Sequence, residues 1–460
     1  MNDWILDALT HYTINLSFND LPEETILEVK KRLLDSIGVA IAAYNGEPVK
    51  IARKVALNFR NGTYSATIWG TQEKVSIDWA TFTNGLMIRY LDFNDTYLSK
   101  EPLHPSDMIA PILSIAEMSN ASGKDVITAI ALAYEIGIRF CDAGSLRIHG
   151  WDHVNYITIG SVLGICKLLR LGEKNIKNAL SIAIIPHCAM RQARVGELSH
   201  WKAAAAPNAA RNAVFATLLA MNEFTGPEKP FVGEMAFLKQ LLSNEFDEKP
   251  IKELENLPRP RRILNTIIKP YPVEIHSQTA VEAARRIREK TSIKSPDEID
   301  EVIIDTFKVG YEIIVKDPEK WNPKTRETAD HSLIWITATA LLHGEVWLEH
   351  YVPEKIRDPK ILSIIRKSKV YVDPEIDKMY PQAIPNRVTI KLRSGEVISE
   401  RVDYPKGHPR NPMSIQDVEA KFRRLVRQYM TEKQIEKIIN MILHLEDLAS
   451  ISELVKNLAI

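Results

Sequence analysis

LPEETILEVKKRLLDSIGVAIAAY, residues 21–44, sets the fold class. Its apolar residues Ile26, Val29, Leu33, Ile37 and Ile41 recur at intervals of three and four, the period of one helix face. Asp20 and Glu23 stand before it at the spacing of a capping box. The second half, GVAIAAY, is small and apolar on most sides, and AIALAYEIGI (129–138) and AAAAPNAARNAVFATLLA (203–220) share that texture. Helices of this kind pack closely inside a large helical core. Working outward, helices are predicted at 108–119, at 124–142 behind a turn of Ser122 and Gly123, and at 157–169, 174–185, 203–222 and 236–243.

The texture changes over NEFDEKPIKELENLPRPRR (244–262), a charged, proline-bearing stretch that reads as a domain crossing. Beyond it, β-branched residues cluster in EIDEVIIDTF (298–307) and KVYVDP (369–374), which predicts strands. In NRVTIKLRSGEVISERV (386–402), Val388, Ile390 and Leu392 alternate up to Ser394-Gly395, and Ile398 and Val402 return, as a hairpin requires. Helices at 277–290, 328–343 and 357–367 lie between these strands, and helix returns from Ser414 to Met430 and from Glu432 onward. The fold class is therefore mainly α with an α+β second domain.

Composition narrows the function. The 460 residues balance 59 basic against 59 acidic side chains, so no global field exists to hold a nucleic acid or an anionic membrane surface. An anionic ligand must meet a local cluster. Cys141, Cys166 and Cys188 lie far apart in apolar stretches without metal-finger spacing, and are expected to be buried, reduced thiols. The opening MNDWILDALTHY has Asp3 and no continuous apolar run, which argues against a secretory signal, and no window suits a membrane span. A cytoplasmic protein is the expectation.

Four segments concentrate polar chemistry. NGLMIRYLDFNDTYLSKEPLHPSD (84–107) crowds Arg89, Asp92, Asn94, Asp95, Thr96, Tyr97, Lys100 and His104 between apolar helices. Asp92 between Leu91 and Phe93 reads as a held carboxylate; the bland alternative is a solvated loop with Ser106 or Asp107 capping the next helix. HGWDHVNY (149–156) sets His149 and His153 four apart, which on a helix would place both imidazoles on one face for a metal. Gly150 weakens that helix, so a structural histidine is favoured. MRQARVGELSHWKAAAAPNAARN (190–212) sets Arg191, Arg194, His200 and Lys202 before an alanine-rich helix whose N-terminal amides would favour a carboxylate. IIKPYPVEIHSQTAVEAA (267–284) carries Lys269, Glu274 and His276 on an extended strip. No Rossmann, Walker or nucleophile-elbow motif occurs in a strand-turn-helix context, which disfavours dinucleotide, nucleoside triphosphate and serine-hydrolase chemistry.

Together these strings, with KTRETADHSL (324–333) and YPKGHPRNPMS (404–414), resemble the MmgE/PrpD family along the whole chain. The resemblance implies a helical domain of residues 1–267 and 408–460, an α+β lid of 268–407 closing about hinges near 265 and 407, and a homodimer. It implies work on a small polycarboxylate without metal or organic cofactor: dehydration of 2-methylcitrate in propionate metabolism or, as alternatives, decarboxylation of cis-aconitate or isomerisation. A fold kept for polycarboxylate binding alone is the alternative of another class. By the same resemblance, Asp92, Thr96, His104, His153, Lys202, Lys269 and Tyr311 match positions lining the decarboxylase site. Catalytic roles are expected for Asp92, His104, His153, Lys202 and Tyr311, and substrate binding for Thr96, Arg191, Lys269 and His276. The sequence departs from its relatives at Ile334 and Trp335, where proline and tyrosine are common. Chemically, the set suits an elimination, which needs a base for a proton α to a carboxylate, an acid for the departing hydroxyl, and cations for the developing charge.

Overall fold

The computed structural model describes every residue except Met1, Asn61, Ser292 and Lys294. The chain divides into two contact units, one of Met1–Ala193, Ala203–Ile267 and Met413–Ile460, the other of Arg194–Lys202 and Ile268–Pro412. Sequence reasoning placed 194–202 and 408–412 with the helical part; both segments group with the second unit instead. Local bonds explain the later boundary. Ile268 N donates to Gly407 O at 3.3 Å, and the turn closes through Gly407 N to Asn411 O at 2.8 Å. A side chain at 407, where φ is +91°, would put its Cβ 1.9 Å from Ile268 O, so only glycine fits.

The first unit is helical. The helix predicted over 21–44 runs Glu23–Ala42, with Val29, Leu33, Ile37 and Ile41 fully buried. Asp20 does not cap it. Pro22 occupies the capping position, and Asp20 accepts from Ser17 N and Oγ (2.8 and 2.6 Å), closing a box around the preceding turn. The other predicted helices occur as Ile109–Ser119, Gly123–Ala143, Val154–Leu168, Glu173–Ile184, Trp201–Met221 and Phe237–Leu242. Helices Trp4–Asn15, Glu47–Ala56 and Ile77–Tyr90 were not read from the sequence; the last is buried along most of its length and shows no two-faced pattern. A short antiparallel pair, β1 (Ser65–Thr67) and β2 (Lys74–Ser76), precedes it.

The returning helix Ile415–Val426 packs along Glu23–Ala42, burying Val418, Phe422, Leu425 and Val426, each worth about 1.5–3 kcal/mol. Between them lies a buried ion pair, Lys421 Nζ to Asp35 Oδ1 at 2.7 Å. Burial pushes the Asp35 carboxyl up although Lys421 opposes it. The same ammonium donates to Phe93 O at 3.1 Å, so the returning helix holds the loop after Ile77–Tyr90. The 244–262 stretch is not a crossing. Arg139 binds Glu253 (3.0 Å), the amides of Arg261 and Arg262 donate to Glu135 Oε2 (both 2.9 Å), and Tyr12 OH donates to Pro258 O (2.6 Å). Its charges are internal partners for neighbouring helices, which composition does not reveal.

The second unit is built on a four-stranded sheet ordered β4-β3-β5-β6: β3 is Ile299–Thr306, β4 Ser368–Val372, β5 Asn386–Leu392 and β6 Val397–Val402. The predicted hairpin pairs Ile390 with Ile398 and Asn386 with Val402. β3 runs antiparallel to β5, with Val302 opposite Ile390 and Ile304 opposite Val388, and parallel to β4. Helices Gln278–Thr291 and Leu333–His343 bury Val281, Ala284, Ile287, Leu333, Ile336 and Leu341 in the same core as those strand residues. The predicted 328–343 helix is split, because Ser332 caps Trp335 N and starts a new helix after the turn Arg326–Ala329. Trp335 is fully buried, its indole N–H donating to Ile356 O at 3.0 Å.

Candidate functional site

In the helical unit, the loop after Tyr90 carries the first group. Asp92 sits in the left-handed region (φ +50°), a conformation that costs an ordinary residue roughly 1–2 kcal/mol. Its buried carboxylate pairs with buried Arg89, three residues earlier on the helix. The loop ends are fixed by polar side chains. Asp95 accepts from Ser106 N and Tyr134 OH, both at 2.9 Å, and Asn94 donates to Ser106 Oγ and Asp107 Oδ1 at 2.9 and 3.0 Å. Ser106 and Asp107 thus bind the loop, contrary to the solvated-loop alternative. Burial raises the Asp95 carboxyl, opposed by Arg32 and its hydrogen bonds.

His104 is held on both ring nitrogens. Nδ1 lies 2.8 Å from Asp95 O and 3.1 Å from Thr96 Oγ1, while Nε2 lies 3.0 Å from Arg89 Nη2. A carbonyl only accepts and a guanidinium only donates, so these contacts place the proton on Nδ1 and the lone pair on Nε2. A second proton on Nε2 would set N–H against N–H. The His153 ring stands edge-on to His104, centroids 5.7 Å apart, and its Nδ1 lies 3.2 Å from Asp152 Oδ1. Asp152 is buried and its main-chain N–H donates to Ala189 O at 2.9 Å. The structure therefore brings Asp92, Thr96, His104 and His153 into one connected group. Arg89 and Asp152 complete it; both were visible in the quoted strings, but nothing in their spacing marked them as partners of the imidazoles.

His149 and His153 do not share a helix face. His149 ends a short turn, Gly150 is left-handed (φ +85°), and His153 precedes the helix Val154–Leu168. Among the described residues no group of three or more His, Cys, Asp or Glu side chains is placed to hold a metal ion. Cys141 and Cys166 are buried free thiols, and Cys188 is partly exposed, which corrects the expectation for that residue. Among the described residues no helix is long and apolar enough to cross a membrane.

Glu101 is a buried acid that sequence reasoning passed over. It sits inside the turn closed by the Tyr97–Leu103 bridge; Oε2 accepts from Ser145 Oγ and Arg147 N, both at 2.9 Å. Burial pushes its carboxyl to about 7, against those bonds and the charges of Arg147 and Arg191. Arg191 itself is partly exposed, with its main-chain N–H on Gly150 O at 2.9 Å.

The α+β unit holds the second group. Lys202 and Lys269 are both buried, as are Glu274, His276 and Asp330. Lys202 Nζ lies 3.7 Å from Asp330 Oδ1, and His331 Nδ1 pairs with the same carboxylate. Glu274 accepts from His276 N at 2.8 Å, and its Oε1 lies 2.8 Å from His276 Nδ1. Burial alone would raise the Glu274 carboxyl; the charges of His276, His331 and Lys269, with the His276 hydrogen bond, carry it below its ordinary value. His276 also stacks edge-on to Phe307, centroids 5.3 Å apart. Tyr311, one turn into the helix Lys308–Ile314, is half-buried against the core of this unit.

Residues 7–249 match the MmgE/PrpD N-terminal domain and residues 271–447 the MmgE/PrpD C-terminal domain. The 2-methylcitrate dehydratase of Escherichia coli (strain K12) is 31% identical over 395 residues, covering 79% of this chain and 78% of that protein. The 2-methylcitrate dehydratase of Cupriavidus necator is 29% identical over 95% of this chain and 91% of its own. The cis-aconitate decarboxylase of Mus musculus is 25% identical over 96% and 90% respectively.

Proposed function

The chain belongs to the MmgE/PrpD family, and from that premise we propose that it removes water from 2-methylcitrate, or a close tricarboxylate homologue, to give cis-2-methylaconitate. The reaction is acid/base elimination without a metal or organic cofactor. The observation that carries this reading is the Arg89–His104–His153–Asp152 arrangement, in a chain whose relatives at 29–31% identity are named 2-methylcitrate dehydratase.

Elimination asks for a base with a free electron pair and an acid with a proton to give. The contacts of His104 leave its lone pair on Nε2, so His104 is the base that takes the proton α to a carboxylate; Arg89 must release that lone pair as it does so. His153 is the acid. A carboxylate on Nδ1 stabilises the imidazolium, whose Nε2–H then goes to the departing hydroxyl as water. The charge left on the substrate spreads into its carboxylate, and Lys202 and Lys269 supply cations for such groups. Asp92 anchors Arg89, Thr96 steadies the His104 ring, His276 and Arg191 serve the substrate carboxylates, and Tyr311 is a further proton donor.

Tyr311 and the decarboxylase relative favour a second reading, loss of carbon dioxide from cis-aconitate. Purified protein given 2-methylcitrate, citrate and cis-aconitate separately distinguishes them. Enoate absorbance appearing from 2-methylcitrate without gas supports dehydration; carbon dioxide from cis-aconitate, with no enoate from 2-methylcitrate, overturns it.

A further inference from the structure

A cavity of about 390 Å³ opens on the helical unit where four helix ends meet. They are the C-terminus of Trp4–Asn15, the N-terminus of Gly123–Ala143, the C-terminus of Val154–Leu168 and the first turn of Glu173–Ile184. Its size is that of a pocket for a small organic molecule. It stands apart from the imidazole pair. His153 precedes the first residue of Val154–Leu168, and Cys166 and Lys167 lie in its last turn, about 20 Å away at 1.5 Å per residue.

The floor is apolar, with Leu16, Cys166 and Ile176 buried. Burial pushes the Cys166 thiol up to about 12, so it stays protonated and acts as an apolar wall, not a nucleophile. Thr13 also lines the cavity. It is 1% exposed, and its hydroxyl has no hydrogen-bond partner among the described residues. Leaving a buried hydroxyl unsatisfied is costly, and an acceptor on a ligand would satisfy it.

The rim is cationic. Lys167 Nζ donates to Thr13 O and Ile14 O, both at 3.0 Å, so the last carbonyls of Trp4–Asn15 hold the ammonium next to Thr13. Those partners carry no charge. Lys124 Nζ lies 5.5 Å from the centre of the Phe18 ring, and neither lysine makes an ion pair among the described residues. Arg170 Nη2 reaches Asp125 Oδ1 at only 3.5 Å, and Asp125 is already bound by Ser122 N and Oγ at 3.2 and 2.6 Å. Asp20, whose charge also reaches Lys167, is closed on Ser17. One partly buried ammonium beside one hydroxyl donor suits a carboxylate, which has a single charge and two acceptor oxygens.

We propose that this cavity binds a small carboxylate with an apolar chain, the carboxylate meeting Lys167, Arg170 and the Thr13 hydroxyl and the chain lying on Leu16, Cys166 and Ile176. The site is separate from the elimination chemistry and moves no proton. A carboxylate without a chain leaves the floor uncovered, and a chain without charge leaves the cations unmatched. Both parts are needed.

The test is calorimetric binding of octanoate to the full chain, with acetate and octan-1-ol as comparisons. Octanoate should bind more tightly than either. Thr13→Val removes the hydroxyl at nearly the same shape and Lys167→Met removes the ammonium, and each should weaken octanoate about tenfold. The melting temperature of Thr13→Val should not fall, because its hydroxyl has no partner to lose. Arg170→Gly should also weaken octanoate while keeping the fold, since φ is +52° there and glycine adopts that conformation freely; it serves if Lys167→Met does not fold. Lys54→Met removes an exposed lysine elsewhere on the unit and should leave octanoate binding unchanged, which separates contact from net charge. Octanoate bound no more tightly than acetate or octan-1-ol would overturn the proposal, as would wild-type octanoate affinity in both Thr13→Val and Arg170→Gly. Displacement of octanoate by propane-1,2,3-tricarboxylate would place it in the catalytic group and overturn a separate site.

Discussion

Glu101→Gln tests whether the loop between Tyr97 and Leu103 is tied down by a neutral or a charged carboxyl. In the native protein Glu101 Oε2 accepts two hydrogen bonds, but Oε1 is buried with no hydrogen-bond partner among the described residues. Burial raises the carboxyl from 4.5 to about 7. Between those values the folded chain holds a proton that the unfolded chain has lost, so this residue's contribution to stability falls as pH rises through that window. At about 1.4 kcal/mol per pH unit, the penalty above neutrality reaches about 3 kcal/mol. Glutamine cannot ionise. Its amide nitrogen lacks an acceptor at the Oε1 position, a cost of roughly 1–3 kcal/mol that does not change with pH. The informative quantity is therefore the pH dependence of the difference between the proteins, read as melting temperatures at pH 5 and pH 8 at constant ionic strength. With an unfolding entropy of about 2.1 cal/mol/K per residue, the variant should gain about 3 °C on wild type between the two pH values. A difference in melting temperature that is the same at both would show that Glu101 ionises normally and that the loop's burial does not control it.

His104→Ala and Lys202→Ala should each lower kcat for 2-methylcitrate at least about a hundredfold, the lower end for losing a general base or a charge partner, with little change in melting temperature. A folded His104→Ala enzyme within a few-fold of wild type would leave His104 only a support for the turn that follows it. Activity should survive exhaustive dialysis against a chelator, and recovery that depends on adding back one particular metal would refute cofactor independence.

What the sequence disclosed depended on how far apart in the chain the partners lie. The 386–402 hairpin was legible because Val388, Ile390 and Leu392 alternate with polar residues on a strand with one buried face. The helix at 23–42 was legible through its period, although its start was misread because the Asp20 carboxylate turns back to Ser17. The 244–262 stretch misled for a related reason: proline and charge mark surface on average, and here Glu253 and Arg262 are consumed by Arg139 and Asp142. The same logic divides the candidate site. Arg89, Asp92, Thr96 and His104 lie within sixteen residues, so their crowding between apolar helices could be seen before any contact was known. Lys202, Lys269, Glu274 and Asp330 come from separate segments, and each alone resembles an ordinary surface charge. Whether a lysine is solvated or buried without a partner is decided by tertiary packing, not by its neighbours in sequence. The resemblance could therefore carry over Lys202 and Lys269 as matched positions, while the carboxylates that face them, Asp330 and Glu274, are recognised only in the folded unit, where burial makes a charge depend on its partner.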